Sequence, residues 1–311
     1  MMDFTKKFNI GLTLQTNLKE FENFLKKYHN QIHSFYFSPP VNRYFHTRSK
    51  VWHTFLLPGK KRLFFKMLKM IKDYGIELEL LLNTLVLKDE YIKEAKELLD
   101  GKNIEIDSVC FLTDYYDSVV KYFPNKKYIL SFNNGYRTKK EITNIIETLK
   151  FDTIVLGSAF IRNARLFEYL KQNNKEVYLL LNNGCSFNCT TCNNIGTVCS
   201  SFFKENLKKH SLDYLYALQS IFPYELHEGI IDTTNVCCFK ISNRSSKLSF
   251  VKNVIDSYME NEVEKYVKKD KNAYAYWGRA GYFWKHFKHL NLEEIYKHKH
   301  KLFAKIGEKN E

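Results

Sequence analysis

Three cysteines with short, regular spacing are the residues of this sequence whose types could do chemistry. Cys185, Cys189 and Cys192 form the pattern C-x-x-x-C-x-x-C just after the apolar run at residues 177–181. Three thiols in one segment can turn toward a common centre, and cysteine arrays of this kind hold iron–sulfur clusters. The pattern predicts a four-iron, four-sulfur cluster in a loop after a strand, with a fourth ligand supplied from elsewhere.

The remaining cysteines are Cys110, Cys199, Cys237 and Cys238. An odd total of seven cysteines, with no signal-peptide pattern at the N terminus, argues against a disulfide framework and favours a cytoplasmic protein with reduced thiols. Such thiols are commonly metal ligands or catalytic groups. Cys110 lies inside the apolar run at residues 109–112, so it is expected to be an ordinary buried cysteine.

The composition indicates a globular chain with a basic balance. Hydrophobic residues make up 44% of the 311 residues, which is enough for a substantial core. No apolar run approaches the roughly 20 residues that cross a bilayer, so no membrane span is expected. The formal net charge of +14 indicates either a partner such as RNA or another polyanion, or a basic surface without a specific partner.

Strand-like and helix-like segments alternate eight times along the chain. This alternation predicts an α/β fold, a closed (β/α)8 TIM barrel over residues 1–267, followed by a helical, aromatic-rich extension over residues 268–311. Asn17 is the expected N-cap of the first helix, and Thr138 with Glu141 forms a capping box for a later one. The predicted helix at 212–222 is expected to break at Pro223. The predicted strands are 8–14, 34–38, 76–82, 106–112, 128–132, 153–156, 176–181 and 236–241, and the predicted helices include 18–28, 61–74, 89–99, 115–123, 164–172, 212–222 and 250–266.

In such a barrel the active site lies at the carboxyl ends of the strands. Polar residues stand at these positions throughout: Gln15, Ser38, Asn83, Thr84, Asp114, Asn133, Asn134, Ser158, Asn183, Asn243 and Arg244. Asp114, Asn133 and Arg244 are the candidate catalytic residues. Arg43 or Arg48, from the long loop after the second strand, could meet an anionic group of the substrate.

Cys199 is the predicted fourth ligand of the cluster, because it shares the loop after strand seven with the other three. Cys237 and Cys238 are expected to precede the end of strand eight by about five residues, which would place them roughly 15 to 20 Å below the barrel mouth at about 3.3 Å per residue. Cys238 stays an alternative if strand eight begins later than expected.

The cysteine spacing equals that of the radical S-adenosylmethionine enzymes, and this is one alternative. Those enzymes resemble barrels whose cysteine loop follows the first strand, whereas about six strand–helix units precede the loop here. In addition, the aromatic residue that commonly precedes their last cysteine is replaced by Thr191.

Two other motifs give a better match. Residues 182–185 read Asn-Asn-Gly-Cys with a further thiol at Cys189, and residues 239–244 read Phe-Lys-Ile-Ser-Asn-Arg. These resemble the Asn-x-Gly-Cys and Phe-Lys-Ile-x-Gly-Arg motifs of the collagenase-like peptidase family, U32 type, over most of residues 8–265. Asn243 departs from the glycine of the family, a change that Asn tolerates where the backbone needs positive φ.

The resemblance implies an iron–sulfur barrel whose relatives support oxygen-independent hydroxylation of RNA bases or of a quinone precursor. The substrate here would be RNA or a small anionic metabolite, and a second subunit could complete the site. Peptidase activity is a further alternative, although no protease constellation is recognisable among the histidines. A non-catalytic iron–sulfur module that passes electrons to a partner protein, or scaffolds it, is another.

Overall fold

The structure, a computed structural model, describes residues 7–13, 16–41, 58–83, 87–134, 138–156, 160, 163–182, 221, 223–229, 231, 233–241 and 247–269. Eight parallel strands follow one another around a closed barrel, and the last strand pairs with the first. The predicted TIM-barrel fold is therefore confirmed. The strands are β1 (Lys7–Gly11), β2 (Ile32–Phe37), β3 (Glu77–Leu82), β4 (Ser108–Phe111), β5 (Lys127–Leu130), β6 (Thr153–Leu156), β7 (Glu176–Leu180) and β8 (Val236–Ile241).

Amphipathic helices cover the outside of the barrel. They are α1 (Leu18–Tyr28), α2 (Pro58–Asp73), α3 (Asp89–Asp100), α4 (Tyr116–Tyr122), α5 (Lys139–Thr148), α6 (Ala164–Gln172), α7 (Pro223–His227), α8 (Leu248–Glu260) and α9 (Val263–Lys269). Short 3-10 turns occupy His29–Gln31, Thr113–Tyr115 and Phe132–Asn134. No helix in these described ranges is both long enough and apolar enough to span a bilayer.

The main core lies between the strands and the helices. On β2, Phe35 meets Phe21 of α1 and Phe37 meets Phe64 of α2, each pair edge-to-face with ring centroids 5.6 Å apart. All four rings are buried. Because successive strand residues point to opposite faces, alternate residues of each strand enter this outer core and the others face the barrel axis.

Both predicted helix starts are confirmed. Asn17 accepts the backbone N–H of Glu20 at 2.9 Å, and the Glu20 side chain reaches back to the backbone of Asn17. Thr138 and Glu141 form the same reciprocal capping box at the start of α5. These caps satisfy backbone N–H groups that a helix cannot bond internally.

Several predicted strand ends are wrong by a few residues. β1 ends at Gly11 rather than residue 14, although the backbone N–H of Leu12 still donates to the carbonyl oxygen of Tyr36. The fourth strand is Ser108–Phe111, shorter than the predicted 106–112. The fifth ends at Leu130, since the chain turns directly into the 3-10 segment Phe132–Asn134.

Two helix predictions also need correction. The predicted helix 250–266 is divided, because Asn261 adopts a left-handed backbone conformation with φ 55° that ends α8 before α9 begins. Pro223 opens a short helix instead of only breaking one, in line with the preference of proline for a first helical turn. Most of the predicted helix 212–222 lies outside the described residues.

The predicted domain boundary after residue 267 falls inside α9. Apart from Lys268 and Lys269, the predicted extension 268–311 lies outside the residues that the structure describes.

Candidate functional site at the barrel mouth

Polar side chains converge where the strands end. Beyond β3, Asn83 donates from Nδ2 to Oγ of Ser131 beyond β5 at 3.1 Å. Asn133 reaches the same pair, donating its backbone N–H to Ser131 Oγ at 3.2 Å and its Nδ2 to the carbonyl oxygen of Asn83 at 3.4 Å. The other buried polar residues that follow strand ends in the described ranges are Thr13, Ser38 and Asn182. Together with Asn83 and Ser131 they are here called the mouth ring.

The predicted residues near β4 and β5 are brought together in part. Oδ1 of Asn134 accepts hydrogen bonds from the backbone N–H of Thr113 at 2.8 Å and from its hydroxyl at 3.0 Å. Asp114 is the next residue in the same 3-10 turn, where it is exposed. Asn133 and Asn134 therefore brace the rim of the mouth, and Asp114 stands on it as an accessible carboxylate.

A charged pair lies below the mouth ring, on the barrel axis. Nζ of Lys240 on β8 is 2.6 Å from Oε1 of Glu79 on β3, and both side chains are almost inaccessible, 8% and 0% exposed respectively. Oε2 of Glu79 accepts Nδ2 of Asn9 at 2.8 Å, and Asn9 also donates to Ser34 Oγ at 2.5 Å. Four strands thus contribute to one polar cluster, here called the axial cluster: Asn9, Ser34, Glu79 and Lys240.

Opposing effects set the charge of Lys240. Burial is the largest single effect and lowers the pKa of the ammonium group, but Glu79, together with Cys110 and Tyr36, raises it by more, so the net pKa is raised. Lys240 is therefore a fixed cation one residue before the end of β8.

Tyr36 covers this cation. The centroid of its ring lies 4.1 Å from Lys240 Nζ, within cation–π range, and its hydroxyl donates to the carbonyl oxygen of Ile241 at 2.5 Å. The ring also lies against the backbone of Gly11, where an added Cβ would be 2.9 Å from three atoms of the phenol. Only glycine at position 11 leaves room for Tyr36, which joins β2 to the last residue of β8.

The proposed cluster ligands Cys185, Cys189, Cys192 and Cys199 lie outside the described residues, as do Arg43, Arg48 and Arg244. In the sequence, Cys185 follows Asn182, a member of the mouth ring, by three residues. The cysteine array also follows the seventh strand of the barrel.

Cys238, the alternative fourth ligand, is inside the barrel. It is fully buried and packs in an inner cluster with Tyr36 and Tyr178. The expected depth of 15 to 20 Å was too large, since Cys238 precedes Ile241 by three residues, or roughly 10 Å. Burial, followed by the neighbouring Cys237, raises the pKa of the Cys238 thiol well above its ordinary value, which disfavours the thiolate that a metal requires. Cys110 is buried in the same inner cluster, as expected.

The axial cluster was missed by sequence reasoning. A signal for it exists in β3, where Glu77 and Glu79 alternate with leucines in an otherwise apolar strand. Carboxylates at every second position lie on one face of the strand, which therefore differs chemically from the other. In a closed barrel the inner face of each strand points toward the axis, so this pattern indicates polar residues inside the barrel.

No protein-family model and no curated protein matches this chain. Among solved structures, the U32 peptidase Mk0906 is similar over 76% of this chain and 93% of its own, with 13% identity and a TM-score of 0.47. A HpcH/HpaI aldolase/citrate lyase family protein from Burkholderia cenocepacia J2315 is 11% identical over 82% of this chain and 94% of its own (TM-score 0.39). The aldo-keto reductase AKR11C1 from Bacillus halodurans is 14% identical over 95% of this chain and 91% of its own (TM-score 0.42). Likenesses this distant carry no conclusion about the site, and the closed eight-stranded barrel establishes the fold by itself.

Proposed function

We propose that the chain is a cytoplasmic iron–sulfur enzyme that carries out a redox modification, of the oxygen-independent hydroxylation type, on an RNA base or a small anionic metabolite. One observation carries the proposal. The cysteine array begins three residues after Asn182, a member of the polar mouth ring, which supports a site that combines the thiols with polar side chains at this end of the barrel.

The cysteine thiols of this loop fit an iron–sulfur cluster. Four thiols at Cys185, Cys189, Cys192 and Cys199 match the all-cysteine ligation of a four-iron, four-sulfur cluster, with Cys238 disfavoured by its burial. In the described ranges no three His, Cys, Asp or Glu side chains are placed to hold a metal ion together, so the ligands would come from this loop. When bound, such a cluster supplies one-electron transfer that amino-acid side chains cannot provide.

The residues of the chain would bind and orient the substrate. The amide and hydroxyl groups of Asn83, Ser131 and Asn133 already hold one another in place, so the rim needs little rearrangement when a polar substrate binds. Asp114 offers an exposed hydrogen-bond acceptor on the same rim. Arg244, with Arg43 or Arg48, would meet an anionic group, and the net charge of +14 favours the approach of an anion.

The test is a comparison of modified nucleosides and metabolites, by mass spectrometry, between cells with and without the gene under anaerobic growth. We expect one hydroxylated species to disappear, and to return with the wild-type gene but not with Cys189→Ala. Equal rescue by both genes would contradict the proposal. Cys110→Ala is the matched control, because this cysteine lies in the barrel core and should rescue like the wild type.

A further inference from the structure

Two adjacent thiols lie in the amino-terminal half of β8, away from the mouth. Cys237 and Cys238 are consecutive residues of β8. In a regular strand consecutive side chains point to opposite faces, so one thiol would enter the outer core and the other would face the axis. Two such thiols could not act on one ligand.

A β-bulge changes this arrangement. Val177 of β7 pairs with Val236, but the next residue, Tyr178, pairs with Cys238. Cys237 is therefore the extra residue of a bulge, where the strand bends and side chains are re-aimed. Cys237 packs against the same inner cluster that contains Cys238 and Tyr178, so both thiols are on the inner face of the barrel.

One of the two thiols is accessible. Cys237 is half-buried, whereas Cys238 is fully buried behind it. Sγ of Cys237 donates to the carbonyl oxygen of Val177 at 3.4 Å. This hydrogen bond is weak, so the thiol can give it up when it reacts. The side chains at this end of the barrel are polar and partly open to solvent, with Lys127 28% exposed and Glu176 48% exposed. A small reagent can thus reach Cys237 from solvent, and Cys238 is the next residue on the same inner face.

The ligand class follows from the donors. The described part of the chain offers no third His, Cys, Asp or Glu that would complete a conventional metal site here. Two sulfurs on one face suit a centre that bonds two sulfurs, and soft sulfur ligands select soft centres.

We propose that Cys237 and Cys238 form a bidentate site for a thiophilic centre that bonds two cysteine sulfurs at once, with trivalent arsenic as the probe. The step involves no change of oxidation state. Phenylarsine oxide forms two As–S bonds, its oxygen takes the two thiol protons, and one water molecule leaves. This site is independent of the proposed cluster and of its chemistry.

The experiment treats the full-length folded chain with phenylarsine oxide, stops the reaction in acid, digests with pepsin and locates arsenic by mass spectrometry. Acid prevents the transfer of arsenic from one cysteine to another, because this exchange requires the thiolate. We expect peptides that contain both Cys237 and Cys238 to carry the mass of the reagent less one water. Arsenic found only on peptides from residues 185–199, or on none, would overturn the proposal.

Matched variants separate a bidentate site from a single reactive thiol. Cys237→Ala and Cys238→Ala should each abolish the adduct at this peptide, whereas Cys110→Ala, in the same inner cluster, should keep it. Cys237→Ser provides a second variant should the alanine variant not fold. An adduct of unchanged yield in either single variant would contradict joint binding.

Discussion

The two faces of the barrel wall differ in kind. The outer face packs aromatic and aliphatic side chains against the helices, as in the Phe21–Phe35 and Phe37–Phe64 contacts. The inner face combines an apolar cluster around Tyr36 and Tyr178 with the buried polar residues Asn9, Glu79 and Lys240. Apolar contacts tolerate exchange of one aliphatic group for another, whereas a buried ion pair requires both partners. The outer face therefore gives general stability, and the inner face fixes particular residues beneath the mouth.

The largest effect is expected from removing one charge of the axial pair. Lys240→Met leaves Glu79 buried without its cation, and we expect a loss of about 3 to 5 kcal/mol in the free energy of unfolding. Urea denaturation measures this loss. Combining Lys240→Met with Glu79→Leu should recover much of it, because neither variant side chain is charged.

Lys26→Met is the matched control, since Lys26 pairs with Glu22 on the exposed side of α1, with side chains 58% and 42% exposed. Its loss should be far smaller than that of Lys240→Met, as for other exposed helix pairs. Equal losses of unfolding free energy at Lys240 and Lys26 would mean that removing one partner of the buried pair costs no more than removing one partner of an exposed pair.

A smaller effect is expected where Tyr36 meets β1. Gly11→Ala places a methyl group 2.9 Å from the phenol ring, which is already held by Lys240 and by the carbonyl oxygen of Ile241. We expect a destabilisation of about 1 to 3 kcal/mol in thermal or urea unfolding. Gly59→Ala in α2 is the control, because nothing lies within 4 Å of its added Cβ. That variant should be neutral or slightly stabilising, and a similar loss at both glycines would refute the close contact.

The smallest effect concerns pH and the amino-terminal end of the barrel. Nε2 of His33 lies 3.1 Å from the hydroxyl of Tyr178 and 3.4 Å from Oε2 of Glu77. Burial, then the charge of Lys127, lowers the pKa of His33 below its ordinary value of 6.5, despite opposing carboxylates at Glu79 and Glu176. The folded state therefore binds this proton less readily than the unfolded state.

The neutral His33 side chain therefore makes its full contribution to stability above pH 6.5. That contribution declines as the pH falls below 6.5 toward the lowered folded-state pKa. Urea midpoints measured between about pH 7.5 and pH 5 should fall for the wild type and fall less for His33→Gln, a range that avoids most carboxyl titration. Parallel curves for the two proteins would exclude His33 as the cause.

Much of the fold can be read from the sequence, because the outer face follows periodic rules. Asn17 and Thr138 marked helix starts through local hydrogen bonds, and the alternation of elements gave the closed barrel. Strand ends were less accurate, since β1 and β5 stop where neighbouring strands stop pairing, which is not a local property.

The site was predictable only where its residues follow strand ends. Asn133 and Asn134 follow the end of β5 within four residues, and the role predicted for Asn133 stays a prediction. The Glu79–Lys240 pair spans 161 residues of sequence, and neither partner alone indicates the other. The bulge at Cys237 depends on the pairing register of two strands, which residue spacing does not reveal.

The central claim is that the thiols leaving β7 at the polar mouth hold an iron–sulfur cluster. Its most direct test is iron, acid-labile sulfide and zinc analysis of the full-length protein prepared without oxygen, beside Cys189→Ala and the core control Cys110→Ala. The expected result is iron and sulfide in equal amounts in the wild type and Cys110→Ala, with both strongly reduced in Cys189→Ala. Zinc without sulfide in the wild type, the content of a four-thiolate zinc site, would contradict the claim.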